Sequence, residues 1–186
     1  MMPEIVMNKK AGVFLKRKII TLLIIIICFL MESTVFQSLS FGNVCPNLLI
    51  IVTASFGFMR GQKSGMYVGL VCGLFIDLFW GGVLGFNMLL FVVIGYLNGG
   101  FQRVFYDDDI KLPIALIAGS ELIYGIVTYI CMYMLQGDFS LSTHLFHVII
   151  PELVYTILVT LVLYQIILHI NKRLETEEQR SASKFV

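Results

Sequence analysis

Residues 46–99 read PNLLIIVTASFGFMRGQKSGMYVGLVCGLFIDLFWGGVLGFNMLLFVVIGYLNG, and this stretch decides the fold. It holds three apolar segments: Pro46 to Met59, Ser64 to Trp80, and Val83 to Gly100 just beyond the quoted end. The first connection carries Arg60 and Lys63, and the second carries no Lys or Arg. Chains that cross a bilayer keep Lys and Arg in the cytoplasmic connections, so the Arg60 turn faces inward and the glycine-rich Gly82 turn faces outward.

The same alternation continues on both sides. Ile19 to Leu39 precedes the quoted stretch, and Leu112 to Leu135 and Leu145 to Ile170 follow it. Lys9, Lys10, Lys16, Arg17 and Lys18 lie before the first segment, and Arg103 and Lys111 lie between the fourth and fifth. Lys172, Arg173, Arg180 and Lys184 follow the last, so all 13 Lys and Arg residues fall on one side. The pattern predicts an all-α integral membrane protein, a six-helix transmembrane bundle with both termini in the cytoplasm. Residues 1–18 form a basic cytoplasmic leader, 19–170 the membrane domain and 171–186 a polar cytoplasmic tail that extends the last helix.

Composition agrees, with 58% hydrophobic and 13% charged residues against roughly 25% charged in soluble domains. A span needs about 20 residues to cross a hydrocarbon core of about 30 Å. Pro46 to Met59 is shorter than that, so it requires a thinned bilayer, a partly buried path or an irregular end. The first segment is long, contains Glu32 and lacks a small-residue cleavage site, which marks a retained helix and not a signal peptide.

Several functions lack the residues they need. The short connections leave no room for a soluble catalytic domain, and nothing supports nucleic-acid binding. Cys28, Cys45, Cys72 and Cys131 have no metal-ligand spacing, and no HExxH is present. The triplet Asp107, Asp108 and Asp109 has no EF-hand pattern and reads as a solvated turn. No cofactor is expected, and the chain reads as a non-enzyme.

Two features inside the spans call for explanation. Gly65, Gly69 and Gly73 recur every four residues on one helix face, and Gly95 and Gly99 repeat the interval on the fourth helix. Small residues at that spacing let backbones approach closely in lipid, either within the bundle or against a partner's helix. Second, a carboxylate near the centre of a span costs about 2.5–3.5 kcal/mol, yet Glu32, Asp77 and Glu152 all fall in the outer half. Asn47, Asn87, His147 and Gln37 lie at comparable depth, and Glu121 lies deeper toward the cytoplasm. The outward end is therefore polar. It serves as a structural hydrogen-bond network, a site for a ligand or partner segment, or a path for protons or ions.

The stretch from Cys45 to Gly99 resembles the rod shape-determining protein MreD family. The resemblance rests on Pro46-Asn47-Leu48 at the start of the second helix, the Arg60-Gly61 turn and the face of Gly69, Gly73 and Asp77. It continues through the turn from Gly82 and Gly85 to Asn87 and the helix holding Gly95-Tyr96. It implies a scaffold of the bacterial cell-elongation machinery in the inner membrane, without catalysis of its own. The implied partners are an MreC-like bitopic protein, an MreB-like filament, the elongation transglycosylase and transpeptidase, and membrane lipids. It also implies a fold similar to the substrate-binding subunits of energy-coupling-factor vitamin importers. Such a vitamin-binding subunit is the rival reading, disfavoured by the bulky first helix IITLLIIIICFLMESTVFQSL, residues 19–39.

Overall fold

Leu48 to Met59 contains no charged residue and only Thr53 and Ser55 as polar ones, so a helix there is apolar on every face. Such a helix is stable only when protein or lipid surrounds it completely. In the computed structural model, which describes residues 2–36, 44–80, 83–104, 110–133 and 144–183, with side chains over 15–132 and 144–179 of these, every residue from Leu48 to Met59 is buried. This helix, α2 (Leu48–Arg60), touches each of the others: α1 (Met2–Leu30), α3 (Gln62–Phe79), α4 (Phe86–Gly99), α5 (Lys111–Thr128) and α6 (Ile150–Ser183). Short π-helical turns extend α1 through Phe36 and α5 through Tyr133 and open α6 at Leu145, and a 3-10 turn carries α4 to Arg103.

The shortness of α2 is thereby accounted for. At about 1.5 Å per residue it is roughly 20 Å long, but as a central pillar it meets protein and has no need to match the bilayer. Three of the surrounding helices are long and apolar enough to cross a membrane, over Leu15–Phe36, Lys111–Met132 and Leu145–Gln179. The core is apolar, but so is much of the exterior, and several polar side chains are buried. Leu89, Leu84 and Val162 are at least 65% exposed, while Glu32, Asp77, Asn87, Asn98 and Glu121 are buried. Polar groups inside and aliphatic groups outside suit an apolar solvent.

The chain turns from α2 to α3 on the single residue Gly61, at φ 87° and ψ 177°, a backbone conformation open to glycine alone. From there α3 and α4 pack as an antiparallel pair through their glycines. A Cβ on Gly65 would overlap the carbonyl oxygen of Gly95, and one on Gly95 would overlap that of Gly65. At Gly69 it would strike the Phe91 carbonyl, at Gly73 the backbone of Asn87 and Met88, and at Gly99 the backbone of Gln62. The glycine faces are used within the bundle. Gly57, at the wholly buried surface of α2, joins the same seam, where a Cβ would lie 3.0 Å from both the Gly95 oxygen and the Asn98 Cβ.

At the Arg60 end the basic leader and polar tail are continuous with α1 and α6 and are tied together. Lys16 pairs with Glu177 at 2.6 Å, and Arg17 pairs with Glu178. Arg60 reaches the same Glu178 at 3.2 Å, and Arg17 Nη2 donates to Asn171 at 3.0 Å. One tail carboxylate thus joins α1, the end of α2 and α6.

Candidate functional site

Burying a helix end leaves backbone N–H groups that lipid cannot satisfy, and the opposite end of the bundle is built around two such ends. Pro46, also buried, has no N–H to satisfy. The Asn47 N–H donates to Thr156 Oγ1 of α6 at 3.1 Å. The next two, of Leu48 and Leu49, donate to Glu32 Oε2 of α1 at 3.0 and 3.3 Å. The Ile50 N–H finds Asn47 Oδ1 at 3.1 Å, and that of Ile51 closes the first helical turn on the Asn47 carbonyl. Every donor at the start of α2 is accounted for, partly by its own N-cap and partly by side chains from the two helices beside it.

Asp77, near the end of α3, does the same for α4. Its Oδ2 accepts from the N–H groups of Gly85 at 2.8 Å and Met88 at 3.1 Å. Its Oδ1 accepts from the Asn87 N–H at 3.2 Å and Asn87 Nδ2 at 3.0 Å. Gly85, at φ 96°, turns the chain so that these donors converge on the carboxylate. A carboxylate at a helix N-terminus also meets the positive end of the helix dipole. Two of the acids that sequence reasoning found costly, Glu32 and Asp77, therefore have defined work as caps of neighbouring helices.

Between these caps lies a cavity of about 250 Å³, lined by Glu32, Cys45, Asn47, Trp80, Tyr124 and Glu152 together with Val44, Ile76 and Val148. The Tyr124 hydroxyl donates to Asn87 Oδ1 at 3.1 Å, which connects the Asp77 cap to the cavity wall. The Glu121 carboxyl, buried on α5, lies beside that of Glu152. Farther along the bundle, Asn98 Nδ2 donates to Ser120 Oγ at 2.7 Å and fixes α4 against α5.

The structure places Glu32, Asn47 and Glu152 on one cavity and Asp77 with Asn87 beside it. His147 is exposed on the opening turn of α6 and does not line the cavity. Gly82, Gln37 and the Asp107 to Asp109 triplet lie outside the described residues. Sequence reasoning set Glu121 apart, deeper toward the basic end, but its carboxyl reaches Glu152. It also missed Tyr124 and Thr156. Glu121 and Tyr124, three residues apart on one face of α5, carried a signal for this grouping, as did Glu152 and Thr156, four apart on α6.

A chemical inventory follows from these partners. Asp77 uses both oxygens on donors at the start of α4, and Glu32 uses Oε2 on two donors of α2. Among the described residues no group of three or more His, Cys, Asp and Glu could hold a metal ion. The arrangement is suited to holding helices in register around a small polar chamber. A family model described as rod shape-determining protein MreD matches residues 14–173. The chain belongs to the MreD family. No curated protein and no solved structure matches it. The match runs from the start of the apolar part of α1 into the tail of α6, so it includes both capped helix ends, the cavity and the glycine seam. The family is one of rod shape determination, and the chain has a role in cell shape.

Proposed function

We propose that the protein is a non-catalytic scaffold of the cell-elongation machinery in the bacterial inner membrane, helping to direct peptidoglycan synthesis along the side wall. The observation that carries this reading is the family match across all six helices. In it the bundle crosses the membrane six times, with the Arg60 end and both termini in the cytoplasm and the Glu32 cavity facing outward. The one-sided placement of Lys and Arg supports that orientation. The cap network supports a structural role, since Glu32 and Asp77 hold the starts of α2 and α4.

The partner in this reading is an MreC-like bitopic protein, with an MreB-like filament, the elongation transglycosylase and the transpeptidase joined through it. The glycine seam is filled by α3 and α4 themselves, so the partner helix docks elsewhere. We place it on α6, where Gln165 and His169 sit one turn apart in a shallow groove with Leu161, Val162 and Ile166. Polar groups on an apolar helix face favour hydrogen bonds to another helix over contact with acyl chains. Pull-down of the full chain from detergent, with identification of the bound proteins, tests the reading. Recovery of the bitopic partner, reduced by Gln165→Leu with His169→Leu, is the expected result. Recovery of a pair of ATPases instead would support the importer reading and contradict this one.

A further inference from the structure

A second concavity, of about 480 Å³, opens at the Arg60 end between α1, the end of α2 and the start of α3. Its rim carries Arg17, Lys18, Arg60 and Lys63, against the carboxylates of Glu175 in the lining and Glu178 on the two arginines. Four cations facing two carboxylates leave an excess of positive charge. That excess is concentrated on the lysines, because neither Lys18 nor Lys63 has a carboxylate partner among the described residues. Lys18 Nζ instead lies 5.7 Å from the centre of the Tyr67 ring. Deeper in, the wall turns apolar at Phe56, Met59 and Val68, all buried.

We infer that this groove binds the phosphate of an anionic membrane lipid, with Lys18 and Lys63 on the headgroup and the apolar wall against the start of an acyl chain. Two observations favour a lipid over a soluble anion. Lys18 lies close to the start of the apolar stretch Leu15–Phe36, which in the proposed orientation is the level of the inner-leaflet phosphates. The groove also passes from cationic to apolar along its depth, which matches the order of groups in a phospholipid and not a free phosphate. An acidic surface of a partner protein could engage the lysines but leaves the apolar wall unused. The inference is independent of which protein partner the bundle holds.

The test uses the purified full chain in zwitterionic detergent, with its melting temperature followed on addition of phosphatidylglycerol, phosphatidylcholine or inorganic phosphate. Phosphatidylglycerol is expected to stabilise it saturably, and the other two are not. Lys18→Gln with Lys63→Gln should weaken that response by at least about tenfold, since each basic residue near an anionic lipid contributes about 1 kcal/mol. The melting temperature in phosphatidylcholine should stay unchanged. Lys18→Arg with Lys63→Arg should keep the response, a readout that survives if the glutamine pair fails to fold. An undiminished response in the glutamine pair, loss of it in the arginine pair, or equal stabilisation by inorganic phosphate would each overturn the lipid site.

Discussion

At the scale of single residues, Asp77 and Glu32 both cap a buried helix, but they use their oxygens differently. Asp77 accepts two N–H donors through each, so in Asp77→Asn the amide NH2 must face two of these donors or abandon them. Glu32 takes both its donors on one oxygen, which the carbonyl of Glu32→Gln can supply. Thermal or denaturant unfolding in detergent should show a loss of about 2–3 kcal/mol for Asp77→Asn and about 1 kcal/mol or less for Glu32→Gln. Equal losses would mean that charge, and not acceptor geometry, is what the caps supply. The presence of Glu32 and Asp77 at one end was legible in the sequence. Their work was not, because Glu32 serves N–H groups 16 and 17 residues further along the chain, and only the packing of α1 against α2 brings them together.

At the scale of elements, the bundle turns on a short helix buried on all sides and on two helices that touch through glycine. The four-residue glycine interval was readable and gave the close approach. What it faced was not readable, because a stripe of small residues looks the same whether it meets a partner or the next helix of its own chain. With Gly73 against Met88 and Asn87, Gly73→Leu disrupts the fold itself and does not act selectively on partner recovery. Even Gly69→Ala should destabilise by about 1–3 kcal/mol, the usual cost of overpacking, since its Cβ meets the Phe91 backbone. Gly119→Ala on α5, where a Cβ meets nothing within 4 Å, should instead be neutral or stabilising by up to about 1 kcal/mol. Melting of the two variants side by side checks this, and similar losses would place the helix contact elsewhere. The length of α2 was likewise visible in the sequence, and its burial on all sides decides between a thinned bilayer and an enclosed path.

At the scale of the whole molecule, the chain is a bundle with cations gathered at one end and capped helix starts at the other. The cation placement could be read from the sequence because it is a property of order along the chain alone. The cavity between Glu32, Tyr124 and Glu152 could not, because it draws on α1, α5 and α6 at once. Both the proposed scaffold role and the outward cavity depend on which end faces the cell exterior. Single cysteines at Lys63 and Val83, placed in a chain freed of Cys28, Cys45, Cys72 and Cys131, sample the two ends; both positions are exposed in the structure. A membrane-impermeant maleimide added to intact cells should label Val83→Cys and spare Lys63→Cys until the membrane is opened. Labelling of Lys63→Cys from outside, with Val83→Cys protected, would contradict the orientation on which the account rests.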